Sequence, residues 1–298
     1  MTDNKKGQLG RLALVVTTLI WGTSFVILKN TLDSITPTWV MAYRFMGAAA
    51  VLFLASIPRL KKLDKSYLKG GCVMGLCLAA GYIVQTYGLY NTTPGKNAFL
   101  TSTYCILVPF LNWIIMGRKP DGFNISAACL CMVGVGLVCL SGTAGLTDIN
   151  IGDILTLCCG LFYGLHIIAT DKFVEGRDAI LLSMVQFAVA AAVCLLGAAI
   201  FEPKPQSMPA EAWYSIAYLS LMCTGACFLL QTWGQKYTPP STAALILMLE
   251  SVFGAIVSVI AGQEILTVGI VFGFVLIFVA ILISETKLEF LLKRKRDT

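Results

Sequence analysis

Two ionisable residues lie deep inside long apolar stretches of the sequence, Arg44 and Glu250. Arg44 stands about seven residues into its stretch, which is roughly 10 Å along a helix at about 1.5 Å per residue. A charged side chain at such a depth in a membrane costs at least about 2.5–3.5 kcal/mol, so it is expected to face a protein interior or water. Arg44 is therefore the candidate for binding an anionic group such as a carboxylate. Two other roles stay open for it, a brace between helices and a side chain that extends to the outer headgroups.

Glu250 is the deepest acidic residue in these apolar stretches. Burial makes the charged form of a carboxyl group costly, which suits Glu250 to taking up and releasing protons or to binding an amine. The alternative is a glutamate that fixes contacts between helices, either protonated or paired with an arginine. Arg44 and Glu250 lie at compatible depths, so a pair between the two is a further arrangement that the sequence leaves open.

The single histidine, His166, lies near the end of an apolar stretch, five residues before Asp171. It is a candidate proton relay or solute contact, and the alternative is a hydrogen-bonded group near a helix end. All eleven cysteines lie within apolar stretches and none forms a C-x-x-C pair, which is typical of packing residues. One histidine with scattered thiols does not provide the three or four spaced ligands of a zinc site, so no metal or other cofactor is expected.

Polar residues form two similar stripes at positions i, i+3, i+4 and i+7 of predicted helices. The stripes are Tyr82, Gln85, Thr86 and Leu89, and Phe228, Gln231, Thr232 and Gln235. An amide side chain within hydrocarbon needs partners, so both stripes should face inward. Each glutamine is a candidate solute contact, with a hydrogen-bonded link between helices as the alternative.

Four aromatic residues are placed to line a cavity for a flat or apolar solute: Trp21, Tyr43, Tyr104 and Tyr163. Aromatic side chains near the ends of membrane spans often mark the interface instead, and Trp21 and Tyr104 lie deepest. The predicted solute contacts are therefore Trp21, Arg44, Tyr82, Gln85, Tyr104, His166 and Gln231, with Glu250 as the candidate proton carrier.

Apolar helices must position these residues, and the composition supplies them. Of 298 residues, 57% are hydrophobic and 13% are charged, whereas a soluble domain has about 25% charged residues. A membrane span needs about 20 apolar residues. Ten such runs cover 10–29, 37–57, 67–89, 94–116, 123–141, 151–170, 179–201, 211–233, 240–261 and 265–284. The sequence predicts an all-α integral membrane protein of ten helices, and it lacks the Gly-rich loop ending in Lys-Ser or Lys-Thr that ATP hydrolysis needs.

Basic residues are distributed unequally between the two sides of the predicted membrane. Eighteen Lys and Arg residues fall on the side of the two termini and three on the other side. Because cytoplasmic loops accumulate Lys and Arg, both termini are predicted to be cytoplasmic. The net charge of +6 thus reflects the orientation of the chain in the bilayer. Binding of nucleic acid would need a basic face on a folded domain, and the sequence provides none.

The two halves of the sequence match each other in four colinear segments, at offsets of 142 to 146 residues. The matched pairs are Phe45–Leu54 with Phe187–Leu196, Trp21–Gly22 with Tyr163–Gly164 and Gln85–Gly88 with Gln231–Gly234. In the fourth segment Thr93, Pro94, Ala98, Leu100 and Gly117 match Thr238, Pro239, Ala243, Leu245 and Gly262. Alanine-rich helices also align by chance, but four colinear matches favour duplication. Five spans per half is an odd number, so the second half should enter the membrane from the opposite side.

An inverted repeat of this kind commonly builds a secondary transporter, with the solute site near mid-membrane between the repeats. The predicted organisation is a first repeat over 1–145, a second repeat over 146–286 and a basic cytoplasmic tail over 287–298.

Short motifs occur in order along both halves. They are Ile20–Phe25, Tyr43–Phe45, Gln85–Gly88, Thr93–Pro94, Gly152–Leu155, Thr238–Pro239, Leu249–Phe253 and Gly262–Thr267. Together they resemble the EamA family of the drug/metabolite transporter superfamily. The family pattern has Glu-Pro-Val where this sequence has Glu250, Ser251 and Val252, and Gly-x-Glu where it has Gly117, Arg118 and Lys119.

The resemblance implies a ten-helix metabolite carrier of the bacterial plasma membrane, often an exporter of amino acids or related solutes. Alternating access is expected, with proton coupling through Glu250 as an option and no enzymatic activity. One alternative is a sugar-phosphate or nucleotide-sugar exchanger of the same superfamily, but a doubly charged phosphate would favour two or more deep basic residues and only Arg44 is found. A membrane enzyme acting on lipid would need clustered acids and histidines at one interface, and Asp171, Glu175 and Asp178 beside a single histidine give it little support.

Overall fold

The structure is a computed structural model that describes residues 3–92, 94–140, 150–205, 207–260 and 267–286. These residues are almost entirely helical and contain no strand, which confirms the predicted all-α class. The predicted boundary between the repeats, at 145 and 146, and the predicted tail 287–298 lie outside the described residues.

Thirteen α-helices are found in the described residues. They are α1 Asp3–Thr31, α2 Pro37–Ser56, α3 Lys65–Asn91, α4 Pro94–Thr101, α5 Tyr104–Met116, α6 Gly122–Leu140, α7 Ile151–Val174, α8 Ala179–Phe201, α9 Ala210–Tyr218, α10 Cys227–Gln235, α11 Pro240–Leu247, α12 Leu249–Ile260 and α13 Val268–Thr286. A 3-10 helix, Ile57–Lys62, follows α2, and a π-helical turn, Leu219–Ala226, joins α9 to α10.

Seven helical segments of the described chain are long and apolar enough to cross a membrane. They are Lys5–Thr31, Pro37–Lys62, Lys65–Asn91, Asn97–Met116, Ile151–Val174, Ala179–Phe201 and Ala210–Gln235. The other three predicted spans correspond to shorter apolar helices, Gly122–Leu137, Pro240–Gly254 and Val271–Ile281. Large apolar side chains such as Ile114 and Phe201 point outward, as the hydrocarbon of a bilayer allows.

Local sequence explains where several helices begin and end. The carboxylate of Asp64 accepts hydrogen bonds from the backbone N–H groups of Ser66 and Tyr67 at 2.8 and 3.1 Å, which caps the start of α3. Asn150 and Asp153 form a capping box at the start of α7. These caps satisfy N–H groups that have no partner within the helix. Gly117 ends α5 with a φ of 70°, a left-handed conformation that glycine adopts readily.

Three of the predicted spans are not continuous α-helices. The span over 94–116 is interrupted at 102 and 103, the span over 211–233 contains the π-helical turn, and the span over 240–261 is interrupted at Met248. Pro109, which the sequence marks as a candidate kink, lies inside α5. The interruption of this span lies at Ser102 and Thr103, where backbone hydrogen bonds to the third preceding residue replace part of the α-helical pattern.

The long helices pack as a bundle in which each contacts helices from the other half of the sequence. α3 packs on α7 and α8, α2 on α8, α6 on α13, and α1 on α10 and α12. Gly75 permits the close approach of α3 to α8, since a Cβ at this position would lie only 2.5 Å from the Gln186 carbonyl oxygen. This contact agrees with the close helix packing that its Gly-x-x-x-Gly spacing predicts.

Two groups of contacts join the loops at opposite ends of the bundle. At one end, which we call the basic face, Arg59 forms an ion pair with Asp178 at 3.3 Å and Lys236 donates to the Arg177 carbonyl oxygen at 3.1 Å. At the other end, Lys29 Nζ donates to the carbonyl oxygen of Leu89 at 2.7 Å. Loops that the charge pattern assigns to one side of the membrane therefore lie together.

Glu202 joins three helices at the end opposite the basic face. Its carboxylate accepts hydrogen bonds from the Thr36 hydroxyl at 2.6 Å and from the backbone N–H groups of Thr38 and Trp39 at 3.0 and 3.2 Å. The Tyr87 hydroxyl of α3 also donates to it. Burial raises the pKa of Glu202, but the hydrogen bonds from Thr36, Tyr87 and Thr38 outweigh burial and lower this pKa below its usual 4.5.

Replacing Glu202 by Gln should destabilise the protein, because it removes the charged cap from the start of α2. We expect a loss of about 1 kcal/mol in the free energy of unfolding, or roughly 2 °C in the thermal midpoint of the detergent-solubilised protein at neutral pH. A carboxylate with a lowered pKa stabilises the fold above its usual pKa and loses this effect as pH falls through the lower value. The difference between E202Q and wild type should therefore narrow as pH falls below 4.5.

Glu211→Gln is the matched control, since Glu211 is an exposed carboxylate at the same end of the bundle. An E202Q midpoint equal to that of E211Q across the pH range would contradict the capping role.

Candidate functional site

A cavity at the centre of the bundle brings the sequence-predicted site residues together. All eight of them line it: Trp21, Arg44, Tyr82, Gln85, Tyr104, His166, Gln231 and Glu250. The lining side chains come from α1, α2, α3, α5, α7, α10 and α12, together with α4 and α11, and so from both halves of the sequence.

Arg44 is held by the π-helical turn and by an aromatic ring. Its Nε donates to the Thr224 hydroxyl, and its Nη2 donates to the Tyr82 hydroxyl at 3.2 Å and to the Cys223 carbonyl oxygen at 3.5 Å. The guanidinium carbon lies 4.6 Å from the centroid of the Tyr82 ring, within cation–π range. Arg44 is 1% exposed, so it does not extend toward the headgroups. Its hydrogen bonds to Thr224, Tyr82 and Cys223 fit the role of a brace between helices.

The π-helical turn explains how one short segment can hold two cavity residues. The Cys223 carbonyl oxygen accepts from Trp21 Nε1 at 2.7 Å as well as from Arg44. The Thr224 hydroxyl donates to the Leu219 carbonyl oxygen at 2.9 Å, which directs its lone pairs toward Arg44. A π-helical turn widens the helix and frees polar groups from the regular ladder, so these groups are available to side chains of α1 and α2.

Glu250 lies in the first turn of α12, directly after the interruption at Met248. The start of a helix favours a negative charge. Among the described residues no hydrogen-bond donor or cation pairs with its carboxylate, although the residue is only 7% exposed. Arg44 and Glu250 therefore do not form the ion pair that their depths allow.

Hydroxyl groups join the two interrupted helices beside Glu250. Ser251 Oγ lies 2.7 Å from Ser102 Oγ, and the two lie 3.1 and 2.9 Å from the Ala98 carbonyl oxygen. The interruption after α4 thus contacts the start of α12. Ser251 occupies the position at which the family pattern has a proline. The helix is interrupted three residues earlier, at Met248, although neither position is a proline.

Aromatic rings form one wall of the cavity. Phe228 is the central ring, with its centroid 4.9 Å from that of Trp21, 5.9 Å from that of Tyr82 and 5.7 Å from the His166 ring. Tyr163 packs edge-on against Tyr82 at 5.5 Å. These tilted and edge-on arrangements are the favoured geometries for aromatic pairs, and they give a flat solute an apolar surface to contact.

Gln85 is hydrogen-bonded to protein groups through both the nitrogen and the oxygen of its side-chain amide. Its Nε2 donates to the Thr101 hydroxyl at 3.0 Å, and its Oε1 accepts from the Tyr163 hydroxyl at 2.6 Å. Asn97 donates to the Gln85 carbonyl oxygen and to the Thr156 hydroxyl at 3.2 and 2.8 Å. This network links α3, α4 and α7, so Gln85 fits the role of a link between helices that the sequence left as the alternative.

His166 and Gln231 lie at the end of the cavity nearer the basic face. His166 Nε2 donates to Gln186 Oε1 at 2.9 Å, and Gln231 Nε2 donates to Gln235 Oε1 at 3.0 Å. His166 is 1% exposed, so it is a buried hydrogen-bonded group rather than one at the membrane interface. Gln231 Oε1 remains without a donor, as does the hydroxyl of Tyr104 at the start of α5.

Several residues of the site were absent from the predicted solute contacts. Phe228 and Tyr163 belong to patterns visible in the sequence, and Asn97 is an uncharged polar residue inside an apolar run, which is a usable signal. Cys223 and Thr224 could not be identified from sequence, because their importance depends on the π-helical turn. In the described residues no three His, Cys, Asp or Glu side chains come close enough together to hold a metal ion.

Comparison with known proteins identifies the family. The EamA-like transporter family model matches residues 8–140 and 150–286. An uncharacterized transporter of Archaeoglobus fulgidus is 35% identical over 278 residues, which cover 93% of this chain and 85% of that protein. The uncharacterized transporter YoaV of Bacillus subtilis is 27% identical over 282 residues, covering 89% and 93%.

A protein crystal structure shares the fold, with a TM-score of 0.78 at 16% sequence identity, covering 97% of this chain and 99% of the other. The resemblance that the short motifs indicated is thus confirmed: this chain is a multi-pass membrane protein that belongs to the EamA-like transporter family.

Proposed function

We propose that this transporter is a secondary carrier that moves a small organic solute, an amino acid or a close relative, by alternating access. The observation that carries the proposal is the central cavity, which lies between the two halves and contains one deep cation and one deep anion that do not pair. We also propose export across the bacterial plasma membrane with both termini in the cytoplasm. The charge pattern supports this orientation, and the family resemblance supports the location and the direction.

Helix packing supports an inverted repeat with ten spans. Exchanging the two halves maps α1 onto α7, α2 onto α8, α3 onto α10 and α6 onto α13. The packing of α3 on α7 then corresponds to that of α10 on α1, while the α2–α8 and α6–α13 contacts map onto themselves. A two-fold axis between the halves produces this pattern, and carriers with such an axis place their solute site on it.

The charges of the cavity suit a zwitterion. Arg44 Nη1 has no acceptor among the described residues and is free to bind a solute carboxylate, since Nε and Nη2 carry the bonds described above. The Glu250 carboxylate is available for a solute ammonium group or for a proton. The aromatic wall around Phe228 accepts the apolar part of the solute.

A phosphorylated solute is a poorer match to this cavity. Of the residues that line it, Arg44 is the one lysine or arginine, and Glu250 would repel a phosphate. A sugar-phosphate or nucleotide-sugar exchanger would require more cationic groups to offset a charge of about −2.

Purified protein in liposomes loaded with unlabelled solute should show counterflow, the uptake of labelled solute driven by exchange. We expect counterflow with at least one neutral amino acid of a panel and none with hexose phosphates or nucleotide sugars. Protein-free liposomes give the background. Counterflow with a phosphorylated compound alone would overturn the proposed substrate class.

Glu250→Gln should abolish the response of transport to a proton gradient, because the variant cannot bind and release a proton. We expect an inwardly directed proton gradient to accelerate efflux of the solute by the wild type and to have no effect on E250Q. Other titratable groups that line the cavity are Arg44, Tyr82, Tyr104, Tyr163 and His166.

His166→Gln is the control that distinguishes Glu250 from His166 as the residue that couples transport to protons. Since His166 Nε2 is bonded to Gln186, H166Q should retain the response to the gradient, whatever its overall rate. Loss of the response in H166Q and not in E250Q would assign proton coupling to the histidine.

A further inference from the structure

Four residues that line the cavity carry oxygens without a hydrogen-bond partner in the described chain. They are Asn97 Oδ1, Gln231 Oε1, the carboxylate of Glu250 and the hydroxyl of Tyr104. The first three are acceptors, whereas the Tyr104 hydroxyl can also donate. Asn97 is fully buried and Gln231 is 2% exposed. A buried acceptor without a partner costs about 1–3 kcal/mol, so the three acceptors favour a bound group that donates hydrogen bonds.

The one cation of the cavity is already stabilised by the protein. Arg44 donates through Nε and Nη2 to three acceptors and lies over the Tyr82 ring. A carboxylate gains most from arginine when it binds two parallel N–H groups on adjacent nitrogens. With Nη2 and Nε occupied, only Nη1 is left, so a solute carboxylate contributes less than the usual paired contact.

The surroundings of Glu250 favour a cationic nitrogen next to aromatic rings. Tyr82, Tyr104 and Tyr163 line the same cavity as Glu250. Aromatic faces attract cations within about 6 Å, at about 2 kcal/mol or more where water is excluded. An ammonium group at this place would gain both a counter-ion and an aromatic environment.

We propose that the cavity selects its solutes by a protonated amino group on an aromatic or apolar body, with Glu250 as the counter-ion, and that a carboxylate on the solute is dispensable. This rests on the proposed carrier function and specifies which charged group of the solute is recognised. Amines as well as amino acids are bound, and the corresponding acids without an amino group are not.

Three compounds with the same phenylethyl body test the proposal on the wild-type protein. Phenethylamine has the ammonium group alone, phenylalanine has both charged groups and 3-phenylpropionate has the carboxylate alone. We expect phenethylamine and phenylalanine to raise the thermal midpoint of the detergent-solubilised protein, with apparent affinities within about tenfold of each other, and 3-phenylpropionate to have no effect. Absence of a shift with phenethylamine, or an equal shift with 3-phenylpropionate, would overturn the proposal.

Counterflow with the same compounds separates this inference from the carrier function. If phenethylamine binds and no compound of the amino-acid panel or the triad is exchanged, the selectivity stands and the carrier function fails. If amino acids are exchanged and phenethylamine does not bind, the carrier function stands and the selectivity fails.

Glu250→Gln tests the counter-ion directly, because the amide keeps the shape of the side chain and removes its charge. The apparent affinity for phenethylamine should fall about tenfold or more, while that for the neutral analogue 2-phenylethanol stays unchanged. Glu211→Gln, which removes an exposed carboxylate that is not among the residues lining the cavity, should change neither. Unchanged binding of phenethylamine by folded E250Q would show that Glu250 is not the counter-ion.

Discussion

Every backbone N–H and C=O group within an apolar membrane helix must find its partner inside the protein, and this requirement makes each interruption of a helix costly. The described chain has three interruptions within its predicted spans, at 102 and 103, at Leu219–Ala226 and at Met248. All three adjoin the central cavity: Tyr104 follows the first, Trp21 and Arg44 bind the second, and Glu250 follows the third. Irregular backbone is thus confined to the place where it supplies polar groups to the site.

Arg44 and Glu250, the two deep ionisable residues, differ in how the surrounding groups stabilise their charges. Arg44 is neutralised by dipoles rather than by an opposite charge, since a hydroxyl group, a carbonyl oxygen and an aromatic face share its positive charge. Glu250 lies in the first turn of α12, and within the described part of the chain no donor or cation pairs with its carboxylate. A direct ion pair between them would satisfy both charges and leave nothing for a solute. Because Arg44 is bound to the π-helical turn, the Glu250 carboxylate stays available to a solute. The unpaired carboxylate makes the empty site less stable.

Sequence patterns predicted the all-helical architecture and the inward direction of the two polar stripes, because a polar side chain in hydrocarbon has few places to go. They left other directions open for Arg44 and His166. The same patterns could not reveal the interruption at Met248 or the π-helical turn, since neither contains a proline and both are stabilised by contacts between distant segments. The kink at Pro109 stays a prediction, since this proline lies inside α5. Whether Arg44 and Glu250 pair was equally inaccessible, because depth in a helix gives no information on rotation about its axis.

In the proposed mechanism a single carboxylate serves both binding and coupling. An unpaired buried carboxylate is costly in its charged form. Binding of either a proton or an ammonium group at Glu250 therefore stabilises the carrier. The two cannot occupy it together, because a protonated carboxyl group is no longer a counter-ion. If the conformational change proceeds only when the charge is satisfied, a proton is carried one way for each amine carried the other way. Antiport then follows from competition at one residue, without a separate proton pathway, and Arg44 need not change its protonation at any step.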